Sequence, residues 1–267
     1  MIRNLNQMTF REYGAVMPER NRSDKAAEMT QELSLSVDNA RTALYIATAD
    51  TRLRMHSGMS VLSVSLDGEK FENFYLDKSV NLREGVYFAV IPFMRDAVVN
   101  MVAAKQPEQA GERPCDSLRM DRRLRVGGIY TFYYQEREQG FLFPGEAHPL
   151  PELTYVDQGE LHSVADGQDI LLKQGDIAIF GPNQWHMHYA DIGVAPRYVT
   201  ITFDLEGVDI TPLLNRKFVA PQQAVTLIQQ MLREQERMDD FSSDMIISQL
   251  CLLMLTLLRE ASAPTGA

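Results

Sequence analysis

A repeated segment constrains the fold of this chain more than any other feature of its sequence. Residues 80–92 (VNLREGVYFAVIP) align without a gap on residues 170–182 (ILLKQGDIAIFGP), at a constant offset of 90 residues. Upstream, residues 62–69 align on residues 153–160 at an offset of 91 residues. Self-similarity of this kind predicts two copies of one structural unit, because a duplicated sequence keeps its turns and its buried positions.

Both copies have the pattern of a β protein. Short apolar runs alternate with turn pairs such as Asp67-Gly68 and Asp166-Gly167, whose residues tolerate a positive φ. Turns spaced about eight to twelve residues apart indicate a sandwich or a barrel. We therefore expect a mostly β chain with two tandem barrels, the first in residues 1–110 and the second in residues 111–220. Residues 105–124 are polar and contain two prolines, which predicts a linker or a surface crossing.

The last part of the chain has a helical period, and we expect residues 221–267 to form a helical pair. Pro221 suits a first helical turn, and an apolar stripe follows it. The second predicted helix, over residues 245–258, is apolar on nearly every face and needs more cover than one barrel gives. We expect this helix to form a homodimer through Met245, Ile246, Leu250, Leu253, Met254 and Leu257. In the alternative, the first helix covers the second and the protein is a monomer.

Composition narrows the class of partner and the compartment. The net charge of −10 and the pI near 5.0 disfavour binding to a phosphate backbone, which needs clustered Lys and Arg. The only cysteines, Cys115 and Cys251, fit neither a zinc pattern nor a disulfide framework. The chain shows no apolar leader, and no apolar run approaches the length of a membrane span. These features predict a cytoplasmic protein with no membrane partner.

The segment 148–188 resembles the two cupin half-motifs. The ordered residues that carry the resemblance are His148, Glu152, Tyr155-Val156, Gly159, Gly175-Asp176, Pro182 and His186. More narrowly, the segment resembles the sugar-binding cupin domain of AraC-type transcription regulators. In those regulators two helix-turn-helix motifs follow a helical dimerisation segment, and this chain ends where they would begin. The resemblance implies the effector-binding and dimerisation region of a regulator, with DNA read only by a domain that this chain lacks.

On this interpretation the second barrel binds a small polar effector such as a sugar. The expected ligand-binding residues are His148, Glu152, Tyr155, Trp185, His186, His188, Phe132 and Tyr134. Trp185 offers a flat apolar face against which a sugar ring can stack. By the repeat, the first barrel has Ser57, Val61 and Asp96 where the second has His148, Glu152 and His186, so we assign it a structural role. The interpretation predicts no cofactor and no enzymatic activity.

A metal-dependent cupin enzyme, of the isomerase or dioxygenase type, is the alternative. Such enzymes hold a metal with two or three His and one Glu, and here Glu146 replaces the first His of the usual His-x-His pair. The candidate ligands are Glu146, His148, Glu152 and His186, which suit a transition metal. A third interpretation makes single histidines such as His162 and His188 structural. It does not account for Glu152, because a buried carboxylate is costly unless it is paired.

Overall fold

The computed structural model describes residues 1–17, 29–115 and 120–262. The chain divides into two compact units, Met1–Asp121 and Arg122–Ala267. Each unit packs two β-sheets, and the second unit ends in two helices. This architecture confirms the predicted fold class of two cupin-like barrels followed by a helical pair.

The described residues of the first unit form eleven strands and one short helix, α1 Gln7–Phe10. Its strands are β1 Ile2–Arg3, β2 Gly14–Val16, β3 Met29–Leu35, β4 Arg41–Ile46, β5 Thr51–Ser57, β6 Ser60–Ser65, β7 Glu72–Tyr75, β8 Val80–Leu82, β9 Tyr87–Pro92, β10 Ala97–Ala103 and β11 Glu108–Pro114. One sheet has the order β1-β7-β6-β9-β4-β11, and the other has the order β2-β8-β5-β10-β3. The side chains between them, such as Leu53, Phe74 and Phe88, are fully buried.

Strand β11 occupies part of the segment that was predicted to be a linker. It pairs with β4 at the edge of its sheet, and most of its side chains are exposed. Edge strands commonly carry charged side chains, so the polarity of this segment does not exclude a strand. The domain boundary predicted after residue 110 falls inside β11, and the first unit continues to Asp121.

In the second unit, residues 122–262 form nine strands, a short 3-10 helix Thr211–Leu213 and two α-helices. Its elements are β12 Arg125–Glu136, β13 Leu142–Glu146, β14 Glu152–Gln158, β15 Glu160–Ala165, β16 Gln168–Lys173, β17 Asp176–Phe180, β18 His186–Tyr189, β19 Arg197–Glu206, β20 Lys217–Val219, α2 Gln222–Arg237 and α3 Ser242–Ser262. The order β12-β19-β14-β17-β20 forms what we call the helix-side sheet, and β13-β18-β15-β16 forms the facing sheet.

The turn between β15 and β16 forms as its sequence predicts. Asp166 has a φ of 49° and Gly167 has a φ of 76°. Two consecutive positive φ values are the requirement of a type I′ hairpin turn, and Asp-Gly is one of the pairs that meets it at low cost. The antiparallel pairing of Ala165 with Gln168 across the turn fixes the register of the hairpin.

The two faces of the helix-side sheet have different roles. One face, with Leu153, Ile177 and Ile201, packs in a single core with α2 and α3. The other face points into the barrel, where Phe180 and Tyr198 pack with apolar side chains of the facing sheet. Because successive side chains of a strand point to opposite faces, neighbouring residues of β14 serve different compartments.

Helices α2 and α3 bury more of each other's apolar surface than the sequence predicts. Helix α2 begins after Pro221, as expected, and packs along α3. Of the six side chains assigned to a dimer interface, Leu250, Leu253, Met254 and Leu257 are fully buried in the core of their own unit. Ile246 is partly buried in that core, and Met245 is 47% exposed. The assignment of these four residues to an interface is therefore wrong, because α2 and the helix-side sheet already cover them.

Helix α3 corrects the expectation that no apolar run approaches the length of a membrane span. Within the described residues, α3 alone is long and apolar enough, by length and composition, to cross a membrane. In this structure one face of α3 packs against α2 and the helix-side sheet.

The repeat is confirmed for its longer segment and is wrong for the shorter one. Strand β9 pairs with β4 just as β17 pairs with β14, and Leu44 lies opposite Ala89 as Leu153 lies opposite Ile179. Strand β4, not β6, is thus the counterpart of β14. Strand β6 lies on the other side of β9, and this position corresponds to that of β20 next to β17. The shorter alignment, 62–69 on 153–160, made β6 the counterpart of β14 because strand order is not visible in local sequence.

The corrected register changes the counterparts of the polar residues. Ala43 of the first barrel takes the position of Glu152, since each precedes the matched leucine on its strand. Val99 and Met101 of β10 take the positions of His186 and His188 on β18. Ser57, Val61 and Asp96 are therefore not the structural counterparts. The first barrel has apolar side chains where the second has its polar cluster.

Candidate metal centre

Three elements and one loop bring the polar cluster together inside the second barrel. Glu152 is the first residue of β14, and Glu146 is the last residue of β13. His186 and His188 lie two residues apart on β18, so both side chains point to the interior face. His148 lies in the loop that leads from β13 to β14.

The Glu152 carboxylate lies at the centre of three imidazole rings. Its Oε2 atom is 3.4 Å from His148 Nε2. Its Oε1 atom is 3.6 Å from His186 Nε2 and 3.5 Å from His188 Nε2. The Glu152 residue is 5% exposed, so its carboxylate is nearly fully buried.

Glu146 completes a group with the donor types of a metal site. It lies opposite His186 in the pairing of β13 with β18. One ligand atom each from Glu146, His148, Glu152 and His186 lies within 4.8 Å of the others. Imidazole and carboxylate ligands in this number suit zinc, iron, nickel, copper or manganese.

The histidine nitrogens that face Glu152 have no hydrogen-bond partner. Both ring nitrogens of His148 are buried without one, as are Nε2 of His186 and Nε2 of His188. Unsatisfied buried polar atoms are uncommon, and a bound ion is one of the causes that accounts for them. Here four such atoms occur in one cluster around a carboxylate, which fits a cation bound among them.

The outer nitrogen of each strand histidine is held by a second group. His186 Nδ1 donates to the backbone carbonyl of Gln184 at 3.0 Å, and His188 Nδ1 lies 2.9 Å from Ser163 Oγ. Because a carbonyl only accepts, His186 carries a proton on Nδ1, and Nε2 of the neutral ring presents its lone pair to Glu152. Two acceptors face each other there unless a proton or a metal ion lies between them. Ligating histidines are commonly held in this way.

The charge states of the cluster follow from the same contacts. Burial of Glu152 opposes its ionisation, but the attraction of the nearby His186 and His188 imidazoles outweighs burial and lowers its pKa to about 2. Burial likewise opposes protonation of His186, yet Glu152 and the Gln184 carbonyl raise the pKa of His186 above its ordinary value. The nitrogen–oxygen separations exceed those of ordinary hydrogen bonds, so the attraction is mainly electrostatic.

Aromatic packing fixes the plane of the His186 ring. The Phe180 ring stacks on it with 5.0 Å between centroids and an angle of 4° between planes. The His148 ring meets it edge to face at 5.2 Å. Rings held from both sides keep their nitrogens aimed at Glu152, which is the preorganisation that a ligand set needs.

The cluster forms the floor of a cavity of about 830 Å³. A cavity of this size holds a small metabolite. Its walls combine aromatic and hydroxyl side chains with a few charges: Tyr130, Thr131, Tyr133, Tyr134, Gln135, Glu136, Arg137, Phe143, Glu146, His148, Leu150, Glu152, His188, Tyr198, Thr200 and Thr202.

The structure brings only part of the predicted ligand-binding set to this cavity. His148, Glu152 and His188 line it, His186 packs beside them, and Tyr134 reaches its rim, where its hydroxyl donates to Asp157. Phe132 and Tyr155 lie on the opposite face of the helix-side sheet, in the core shared with the helices. This placement corrects their assignment to the pocket.

Trp185 is also absent from the cavity lining among the described residues, and it is 45% exposed. Its indole ring lies against Gly145, where an added Cβ would be 2.5 Å from Trp185 Cζ2. The tryptophan therefore packs on the end of β13 next to Glu146, and this contact corrects its predicted role in stacking on a ligand.

Several residues that line the cavity were not predicted from the sequence. Gln135, Thr200 and Thr202 face the cavity, on two strands that are far apart in sequence and pair with each other. Alternation along β12 separates its two faces, but it does not reveal which face points inward. The hydroxyl-rich alternation Thr200, Thr202 in β19 is the sequence pattern that indicates a polar interior face.

A protein-family model described as Cupin domain matches residues 133–196, a segment that contains the whole polar cluster. No curated protein matches the chain at a significant level. Among solved structures, AerE from Microcystis aeruginosa is similar at 10% identity, with a TM-score of 0.27, and covers 72% of this chain and 98% of its own. Pumpkin seed globulin is similar at 9% identity, with a TM-score of 0.27, and covers 78% of this chain and 85% of its own.

A deletion mutant of the oxalate decarboxylase OxdC from Bacillus subtilis is similar at 9% identity, with a TM-score of 0.27, and covers 81% of this chain and 76% of its own. Similarity at these TM-scores carries no argument about function. The cupin domain match and the His/Glu donor set do contradict one expectation: a set of this kind is typical of cupin metalloenzymes, so the exclusion of enzymatic activity is wrong.

Proposed function

Since the second barrel is a cupin domain, we propose that it is the metal centre of an enzyme that acts on a small polar molecule. One observation carries the proposal: imidazole nitrogens of three histidines converge on the ionised Glu152 and have no other partner. The adjacent cavity supplies room for a substrate beside the cluster.

The residues of the cluster fit a divalent transition metal. His148, Glu152 and His186 would bind it, with Glu146 as a fourth ligand and His188 beside Glu152. When bound, such a metal polarises an oxygen of the substrate and stabilises negative charge that develops there.

The side chains around the cluster have separable tasks. Glu152 stays ionised through the physiological pH range, because its pKa is about 2. Gln135 donates to Thr200 Oγ1 at 3.0 Å and accepts from the Tyr198 hydroxyl at 3.3 Å, so these groups form an ordered polar wall for a substrate. Phe180, stacked on His186, keeps water away from the inner side of the cluster.

Metal content tests the proposal directly. Protein purified without added metal and then dialysed against a trace of Zn²⁺, Mn²⁺, Fe²⁺ or Ni²⁺ should retain one equivalent of at least one of them by elemental analysis. His186→Ala should lose that metal, and His162→Ala should keep it, because His162 contacts Asp169 and Asp191 outside the cluster. Circular dichroism checks that both variants are folded. Wild-type protein that retains none of the four metals would refute the proposal.

A second candidate is the effector-binding region of an AraC-type regulator in the cytoplasm. The observation that favours it is the helical pair, which shares one core with the sheet that forms the cavity wall. In this role the cavity senses a small polar effector such as a sugar, the helices form a homodimer, and a helix-turn-helix domain outside this chain binds DNA. A sugar screen by thermal shift on metal-free protein discriminates the candidates, since a sensor of this kind is stabilised by its effector without metal.

A further inference from the structure

Arg137 is a feature of the cavity that the metal centre does not explain. Among the described residues that line the cavity, it is the only Lys or Arg side chain. It directly follows β12, next to Gln135, whose side chain belongs to the polar wall.

One contact holds the backbone of Arg137, and two contacts hold its side chain. Its backbone N–H donates to the carbonyl of Pro196 at 3.0 Å. One guanidinium nitrogen donates to Gln135 Oε1, and the guanidinium lies over the Phe141 ring, 4.8 Å from its centroid. A guanidinium has five N–H donors in a rigid plane, so the contact with Gln135 leaves others free to bind a ligand.

Within the described residues, no carboxylate pairs with this cation. In the described part of the chain, no Asp or Glu oxygen lies within 4.0 Å of the Arg137 guanidinium, whereas the neighbouring Arg197 pairs with Glu136 at 3.0 Å. In a chain with a net charge of −10, an arginine that is held in place and left unpaired at a cavity wall is suited to an anionic ligand.

Arg137 is linked to the metal centre by a continuous set of contacts. Gln135 accepts from both Arg137 and the Tyr198 hydroxyl. The Tyr198 ring packs next to the His188 ring, with 5.9 Å between centroids. Arg137 and the histidine cluster therefore belong to one cavity wall, and one small molecule can contact both.

We propose that Arg137 binds the carboxylate of the substrate, so that the cavity takes small hydroxy or sugar acids rather than neutral sugars. This inference rests on the proposed metal centre, which would contact the other end of the molecule. A planar guanidinium fork matches a carboxylate with two parallel hydrogen bonds, which a lysine ammonium does not.

Isothermal titration calorimetry with gluconate, glucose and glucose 6-phosphate tests the inference on the full chain, both metal-loaded and treated with EDTA. Gluconate should bind wild-type protein more tightly than glucose does. Arg137→Ala should weaken gluconate binding about tenfold or more, as expected for the loss of a charged hydrogen bond. Arg137→Lys should recover only part of it. Arg197→Ala is the matched control and should bind gluconate like wild type.

Three outcomes would overturn the assignment: no gluconate binding by wild-type protein, equal gluconate affinity in Arg137→Ala, or tighter binding of glucose 6-phosphate than of gluconate. Metal content is measured on every sample, so the absence of bound metal is detected independently of gluconate binding. Gluconate binding that depends on Arg137 in protein that retains no metal would reject the proposed function and leave the carboxylate site standing.

Discussion

At the scale of single residues, the pair of Glu152 and His186 sets how the metal-free protein responds to pH. The pKa of Glu152 is lowered from 4.5 to about 2, so its stabilising contribution is present above pH 4.5 and is lost as the pH falls towards 2. The pKa of His186 is raised above 6.5, so its contribution is present below pH 6.5 and is lost as the pH rises through the raised value.

We therefore expect EDTA-treated protein to gain its largest contribution from this pair between pH 4.5 and 6.5. Denaturant unfolding at a series of pH values measures it. His186→Gln should flatten the loss on the alkaline side. With metal, the dependence reverses, because protons compete for His186 and metal affinity should fall as the pH drops. A metal-free protein whose stability keeps rising to pH 8 would contradict this account.

Gly145 allows a second prediction at this scale. It has a φ of 95°, and an added Cβ would lie 2.5 Å from Trp185 Cζ2 and 3.0 Å from the carbonyl of His186. Gly145→Ala should lower the free energy of unfolding by about 2–4 kcal/mol and reduce metal retention, because Glu146 is the next residue.

Gly167→Ala is the matched control for Gly145→Ala. Gly167 has a φ of 76°, but nothing lies within 4 Å of its added Cβ. This variant carries the backbone strain without the collision and should cost about 1 kcal/mol. Thermal unfolding followed by the fluorescence of Trp185, the single tryptophan, compares the two. Equal destabilisation would show that the contact with Trp185 contributes nothing.

The sequence identified the metal-ligand candidates well and the cavity wall poorly. His148, Glu152 and His186 follow one another within a short segment, and their order is visible without knowledge of strand pairing. Gln135 and Thr200 meet only because β12 pairs with β19. Which side of a strand faces a cavity depends on such long-range pairing, and local alternation does not encode it.

At the scale of elements, α3 keeps an exposed apolar stripe although most of its predicted interface is core. Phe241, just before the helix, is 72% exposed, and Met245, Leu252 and Leu255 are 47%, 44% and 38% exposed. Their spacing of four, seven and three residues places them on one side of the helix. Apolar stripes of this kind commonly mark an interface, so we propose that a homodimer would form through these residues, of which only Met245 belongs to the interface predicted from the sequence.

We expect the double variant Leu252→Glu and Leu255→Glu to be folded and monomeric, whereas wild-type protein sediments as a dimer at micromolar concentration. Leu253→Ala is the control. It lies in the buried core, so it should cost about 2–5 kcal/mol of stability without removing the stripe. Analytical ultracentrifugation and denaturant unfolding separate the two effects. Monomeric wild-type protein at this concentration would end the dimer prediction.

The repeat predicted individual strands and turns, but it did not predict the order of the strands in the sheet. The hairpins and the matched pair β9 and β17 follow from local turns and apolar runs, which any duplicated sequence preserves. The positions of β4 and β6 were not predictable, because both strands pair with β9 and local sequence does not reveal the side on which each one lies.

At the scale of the whole molecule, the two barrels share a frame and differ in chemistry. Where the second barrel has Glu152, His186 and His188, the first has the apolar residues Ala43, Val99 and Met101. Val99 and Met101 lie in its core, and Ala43 is partly buried on β4. Apolar side chains at these positions offer no ligand that a transition metal prefers.

Metal should therefore bind at one equivalent per chain, not two. Titration of EDTA-treated protein with Zn²⁺, followed by calorimetry, measures the stoichiometry. Glu152→Gln should abolish the strong site and leave no second one. Two strong sites of equal affinity would show that the first barrel holds a centre that its sequence and register do not indicate.

The side chains of β14 alternate between the cavity and the core under the helices, and this limits which substitutions can alter the substrate specificity. Glu152 faces the histidines, and the next residue, Leu153, faces the core under the helices. A substitution on β14 that reshapes the cavity also disturbs helix packing. Such variants lose stability, so fewer of them remain folded with a changed substrate specificity. Strand β12 is divided in the same way, since Phe132 packs in the helix core, but it lies at the edge of the sheet and its Tyr133 is both exposed and part of the cavity wall. New substrate preferences should accordingly arise first on β12, and a mutant library aimed at specificity belongs there.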